Sequence, residues 1–251
     1  MSLIEFRKVS KRFGSKVVLD QMDIEIFEGE TITIIGGSGS GKSVALKLLL
    51  GLIEPDEGEI MFRDQNIVNF EDEELVKMRS KIGMLFQGAA LFDSLTVFEN
   101  IAYPIREHFH HPEEIIESMV KKKLSMVGLP GVEEMYPADL SGGMKKRVGL
   151  ARAIATDPEV ILYDEPTTGL DPANTNRIDD LILEMQKVLK VTSIVVTHDM
   201  ASAFRVSNRL ALLHKGKIEF VGTVDQVKKS TNPIVQNFIN GKMGEIEGGT
   251  L

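Results

Sequence analysis

The sequence contains no cysteine. That excludes disulfides, thiolate metal sites and a cysteine nucleophile, and it fits a reducing compartment. Nowhere do about 18 apolar residues run without interruption, the length a membrane-crossing helix needs, so any membrane role is expected to act through a partner. The opening residues, Met1-Ser2-Leu3-Ile4-Glu5-Phe6-Arg7-Lys8, lack the apolar stretch of a secretory leader. A basic surplus is also missing. Lysine and arginine number 29 against 37 acidic residues, giving a net charge of -8 and a pI near 5.3. General nucleic-acid binding leaves a basic footprint, so no nucleic-acid partner is expected. A local anion site stays open, because loop amides and helix N-termini bind phosphate without net positive charge. Internal repeats and low-complexity segments are absent.

What is present is globular. The 251 residues are 43% hydrophobic and 26% charged, which rules out disordered and fibrous classes. Leu3 to Val9, Val17 to Leu19 and Met22 to Ile26 alternate apolar and polar residues, predicting short antiparallel strands with one wet face. Glu30 to Ile35 is more apolar and β-branched, as a buried central strand should be. A glycine-rich turn follows, then a helix from Val44 to Leu50 ending near Gly51. Pro55 to Gly58 reads as a turn and Ile82 to Phe86 as a further strand. From about Thr96 to Thr156 the pattern is helical. Pro112 to Val127 carries acids first and lysines later, in keeping with the helix dipole. The buried strands Val160 to Tyr163 and Thr192 to Val196 flank a helix over Thr175 to Leu189, an alternation that predicts a parallel sheet. The fold class expected is α/β, with the helical stretch inserted into it.

Three constellations carry chemistry. Gly36-Gly37-Ser38-Gly39-Ser40-Gly41-Lys42-Ser43 matches G-x-x-x-x-G-K-[ST] between a strand and a helix that Val44 opens. Its glycines let backbone amides curl around phosphates without Cβ clashes. Lys42 supplies a cation to the β- and γ-phosphates, and the Ser43 hydroxyl suits Mg²⁺. The strand Val160 to Tyr163 ends in Asp164 and Glu165. Neighbouring strand residues point to opposite faces, so Asp164 can serve Mg²⁺ while Glu165 polarises an attacking water. Leu140-Ser141-Gly142-Gly143-Met144 precedes the helical run Lys145 to Ala153, a second anion site at a helix N-terminus. Two such sites in one chain suggest that two chains share each nucleotide.

This combination resembles the ATPase subunits of ABC transporters, from roughly Leu3 to Thr223 and in the family's motif order. The resemblance implies a P-loop NTPase core of the RecA type, with an antiparallel β subdomain and an inserted α-helical subdomain. The core is expected over residues 1–93 and 157–222, the helical subdomain over 94–156, and a terminal helix and tail over 223–251. ATP and Mg²⁺ are the implied cofactors. Phe13 resembles the aromatic that stacks on adenine. Gln87 stands at the Q-loop position, touching Mg²⁺ or the water and sensing the transporter. Residues Leu140 to Met144 resemble the signature, with Met144 where glutamine is usual. Gly169-Leu170-Asp171 resembles the D-loop between subunits, and His198 the switch histidine at the γ-phosphate. A head-to-tail homodimer is implied, with two ATPs between the copies and an integral membrane permease beside them at the cytoplasmic face of the inner membrane.

The run Gln87-Gly88-Ala89-Ala90-Leu91-Phe92-Asp93 and Met144 look like the branch that serves MCE-protein systems, the Mla-type phospholipid transporters. Thr197 to Phe204 looks like that branch too. An MCE-domain protein and a small STAS-domain regulator are the further partners this implies. An importer or exporter for another substrate remains the alternative, and a soluble ABC ATPase of DNA repair or translation stands behind it. A GTPase reading lacks any Asn-Lys-x-Asp guanine motif and leaves Ser141 to Gly143 unexplained. His108, His110 and His111 are expected on a solvated loop, Lys121 to Lys123 on a wet helix face, and the methionines in core gaps. A short amphipathic helix is expected within Thr231 to Gly241, followed by a glycine-rich tail from Lys242 to Leu251.

Overall fold

The computed structural model describes residues 1–242, and the tail expected from Lys242 onward falls almost wholly outside them. The first half of the chain forms β1 (Ser2–Phe13), β2 (Lys16–Phe27), β3 (Thr31–Ile35), α1 (Lys42–Leu49), β4 (Glu57–Phe62), β5 (Gln65–Asn66), α2 (Asp72–Arg79), β6 (Ile82–Leu85), α3 (Val97–His108) and α4 (Glu113–Met126). The rest forms α5 (Gly142–Ala153), β7 (Val160–Asp164), α6 (Pro172–Leu189), β8 (Thr192–Thr197), α7 (Met200–Val206), β9 (Arg209–His214), β10 (Lys217–Thr223), α8 (Val224–Lys228) and α9 (Pro233–Ile239). These elements group into two compact units, residues 1–75 with 194 onward, and residues 76–193.

The first unit holds an antiparallel sheet in the order β2-β1-β4-β5 and a run ordered β10-β9-β3-β8. Its β1–β2 hairpin differs from the expected short strands. Two twelve-residue strands run through instead, with register shifts between Phe6 and Val9 and between Val9 and Lys11. A simple alternation cannot bury both Leu19 and Met22, yet both are buried. The phase change is absorbed where Gln21 takes φ 49 and its amide donates to Ser10 Oγ at 3.1 Å, as a bulge does. Gly58, expected in a turn, lies inside β4 at φ 91; a Cβ there would sit 2.4 Å from the Lys8 carbonyl oxygen. Only glycine permits that approach. β9 and β10 were not anticipated, since β10 is a half-exposed edge with little apolar pattern.

β3 is buried at every position and pairs in parallel with β9. The expected C-terminal amphipathic helix is α9. It docks on its own chain, where Val235 joins Ile35, Leu210, Leu212, Ala203 and Val227 in one apolar cluster, with Ile234, Phe238 and Ile239 against it.

In the second unit β6 and β7 pair in parallel, with α5 packed on β6. A Cβ on Gly83 would lie 2.0 Å from the Ala153 carbonyl oxygen, so strand and helix meet at a distance only hydrogen allows. The helical pattern expected from Thr96 to Thr156 is supplied by α3, α4 and α5. α6 opens on Pro172 after an Asp171 cap, three residues before the expected Thr175, because Pro at the first turn costs no hydrogen bond. Among the described residues no helix is long and apolar enough to cross a membrane.

Candidate functional site

In the first unit the turn from β3 into α1 is built from glycine geometry. Gly39 and Gly41 take φ 74 and 108, backbone angles that cost L-residues roughly 1–2 kcal/mol. A Cβ on Gly36 would strike the Leu213 carbonyl oxygen at 2.4 Å, and one on Gly41 would strike Leu19 at 2.8 Å. The loop is thus wedged against its own sheet. Lys42 begins α1, is 7% exposed, and its Nζ donates to the carbonyls of Gly36 and Gly37 at 2.9 and 3.0 Å. That places the ammonium within the loop's curl, bound to backbone oxygens.

Ser38 and Ser43 are exposed along the same turn, with Ser40 and Val44 half-buried. A cleft of about 530 Å³ opens beside the turn, lined by Gly36, Gly37, His198, Asp199 and the end of α9. His198 is exposed there, just past β8 and one residue before Asp199, whose carboxylate caps α7 through the amides of Ala201 and Ser202. Phe13 ends β1 half exposed with Lys11 Nζ 5.6 Å from its ring centroid, which suits a stacking face better than a core position.

In the second unit β7 delivers Asp164 half-buried at its end. Glu165 follows at φ 48, a left-handed turn rare for a non-glycine residue. Thr168 Oγ1 donates to its carboxylate at 3.0 Å. Gln87 is exposed after β6, and its carbonyl accepts from Lys146 Nζ, which also donates to the Glu165 carbonyl at 3.1 Å. Burial pushes the Lys146 ammonium below its ordinary range, while the carboxylates of Asp164 and Glu165 pull it back up. Beyond Gln87, Ala89 and Ala90 take φ 61 and 48, and the Arg152 guanidinium donates to both carbonyls at 2.7 and 2.8 Å. Lys146 and Arg152, both on α5, thus hold the main chain of the Gln87 loop, and no motif in the sequence points to either.

The helix they belong to starts at the serine-glycine motif. Ser141 is the N-cap of α5 and its Oγ accepts from the Met144 amide at 3.3 Å. Ser141 and Gly142 are exposed; Gly143 is buried. A Cβ on Gly143 would meet Asn174 Oδ1 at 2.3 Å, so the second glycine makes room for α6. Asn174 in turn donates through its backbone and side-chain nitrogens to Asp171. The Asn174 amide holds the Asp171 carboxyl below its usual range. The structure therefore brings Gly143 and Asp171 together through one asparagine, a link the sequence reading lacked. Asn100 was missed as well. It is fully buried, accepts from the Phe92 amide at 2.8 Å, and donates to the carbonyls of Phe92, Leu95 and Thr96.

The residues present fit a phosphate in the wedged glycine loop. Among the described residues no group of three or more His, Asp or Glu is arranged for a metal, the three histidines near residue 110 included. A hard cation that keeps water and phosphate oxygens as ligands needs only one or two protein oxygens; the Ser43 hydroxyl in the first unit has that chemistry, and so, separately, has the Asp164 carboxylate in the second.

Comparison with known proteins identifies a family. Residues 19–168 match the family model described as ABC transporter. The chain is 40% identical over 241 residues to the intermembrane phospholipid transport system ATP-binding protein MlaF of Haemophilus influenzae, covering 96% of this chain and 91% of that one. It is 38% identical to a probable ribonucleotide transport ATP-binding protein, mkl, of Mycobacterium leprae, covering 95% of this chain and 69% of the relative. Among solved structures, the dimeric post-hydrolysis state of an ATP-binding cassette bound to ADP and phosphate superposes with a TM-score of 0.81 at 32% identity, over 88% of this chain and 98% of that one.

Proposed function

This chain belongs to the ABC transporter family as an ATP-hydrolysing subunit, and from that premise we propose that it powers phospholipid transport across a bacterial envelope. The nucleotide half of the reading rests on the Lys42 ammonium held inside the glycine turn. The lipid half is supported by the near full-length similarity to a phospholipid-transport relative. Under this reading the chain works as a homodimer. Ser141, Gly142 and Gly143 of one copy grip the nucleotide bound by the other, and Asp171 lies at the join. A membrane permease, at the cytoplasmic face of the inner membrane, takes up the motion, with an MCE-domain protein and a STAS-domain regulator as further partners.

Each residue has a task matched to its chemistry. The turn from Gly36 to Ser43, with Val44 behind it, binds the β- and γ-phosphates. Phe13 stacks on adenine. Asp164, Ser43 and Gln87 offer oxygens to Mg²⁺, which when bound supplies positive charge to the phosphates. Glu165, its carboxylate steadied by Thr168, orients and polarises the water. His198 answers to the γ-phosphate. The catalytic core comprises residues 1–93 and 157–222, the helical subdomain 94–156, and the terminal helix and tail 223–251.

A ribonucleotide cargo is the second reading, favoured by the mycobacterial relative's name. Detergent extraction of the tagged chain with its membrane partners, followed by reconstitution in vesicles, separates the two. ATP-dependent movement of a labelled phospholipid is expected. Movement of a ribonucleotide with no lipid movement would replace the proposal.

A further inference from the structure

We infer that Lys146 is a positioning residue that ties the Gln87 loop to the Glu165 turn, so that the two hold one geometry. The inference rests on the proposed roles of Gln87 and Glu165, and its observations lie within the second unit.

Lys146 is 5% exposed. A buried ammonium is costly unless its protons find acceptors, and two functional segments supply them: the carbonyl of Gln87, 59 positions earlier, and that of Glu165, 19 positions later. Neither carbonyl lies in a strand or helix. Glu165 takes a left-handed φ, a conformation that persists only where its surroundings enforce it. Beside it, the Gln87 loop continues into the left-handed pair Ala89 and Ala90, whose carbonyls Arg152 holds. Lys146 and Arg152 stand on one helix, so α5 grips the Gln87 loop at two points and the Glu165 turn at one. The same helix begins at Ser141. Displacement of the Gln87 loop therefore pulls on a cation that also holds the main chain behind the carboxylate. Asp164 and Glu165 lie close enough for their charges to act on that ammonium, which reinforces its position. Lys146 touches no reacting atom in this scheme. It acts through Glu165.

The test uses the full chain purified with its membrane partners, measuring ATP turnover against ATP concentration, binding of a fluorescent ATP analogue and the thermal midpoint. Lys146→Met keeps length and apolar bulk but has no donors, and it should lower kcat at least tenfold while KM and analogue affinity stay within about twofold. Lys146→Arg restores donors and charge, and should recover most of the lost kcat. A wild-type kcat in Lys146→Met overturns the inference. So does equal impairment of the two variants, which would mean that packing alone matters. A parallel loss of affinity and thermal midpoint would assign Lys146 to folding instead, and should Lys146→Met fail to fold, a Lys146→Arg kcat at least tenfold below wild type with normal affinity and midpoint overturns it as well. Glu165→Gln serves as the separate control: if it turns over normally, the reading of Glu165 fails, whatever Lys146 does.

Discussion

The glycine turn after β3 and the Gln87 loop after β6 are both irregular stretches following a buried strand, yet they are held by opposite means. The turn is made from what its own residues lack. Side chains are missing at Gly36, Gly39 and Gly41, and the lysine that anchors it bonds to carbonyls five and six positions away. The Gln87 loop is made from what distant residues bring. Lys146 and Arg152, 59 to 63 positions on, hold its carbonyls, while Asn100 fixes the segment that follows. The first is a local device, closed by hydrogen bonds within seven residues. The second is clamped from elsewhere, so that whatever moves its clamps moves it.

This contrast can be broken at several points. The largest effect is expected where both sorts of support meet, at Glu165. Glu165→Gln should cut ATP turnover by about 10²- to 10⁴-fold, the range for a lost general base, with analogue binding retained and the dimer trapped; steady-state hydrolysis and gel filtration with ATP check this. Asn100→Ala should lower unfolding stability by about 2–4 kcal/mol, because it strands a buried amide and carbonyls. Denaturant unfolding measures that loss, and an unchanged midpoint would show that the segment after the loop does not depend on Asn100. Lys42→Ala should do the reverse, weakening nucleotide affinity about 10- to 100-fold, as a lost charge-assisted bond does, with a near-normal midpoint. Loss of fold there would erase the distinction.

A milder effect, roughly tenfold on turnover with binding intact, is expected for His198→Ala, and a wild-type rate would return this residue to a structural role. The smallest concerns Asp171. Its folded pKa is depressed, so its capping contribution is present above the unfolded value near 3.9 and disappears as pH falls through the lower folded value. Asp171→Ala should therefore melt slightly earlier than wild type at neutral pH, and the two melting curves should converge in strong acid.

The same contrast explains what could be read from the chain in advance. Gly36 to Ser43 is contiguous, and each residue's conformational need is written in its type. The acidic pair Asp164-Glu165 and the serine-glycine motif are likewise short and local. The partners of Lys146, Arg152 and Asn100 are backbone groups, which carry no residue identity, so no pattern announces them. One signal was available: Lys146 falls on the stripe formed by Gly143, Leu150 and Ala153, all buried on one face of α5, and a lysine in such a stripe demands a reason. The sequence shows the long β1 and β2 strands only as fragments, because a bulge shifts the alternation between Leu19 and Met22. β10 went unread because its half-exposed edge has no clean alternation.

The contact between Gly83 and the Ala153 carbonyl carries a consequence for how this protein can change over evolutionary time. A single methyl at position 83 would act as a shim, lifting the last turn of α5 from β6 and tilting the rod that bears Ser141, Lys146 and Arg152. Drift at a site far in sequence from the serine-glycine motif is thereby converted into misalignment of three side chains on one helix. The spacing of that rod is set by the radius of one hydrogen atom.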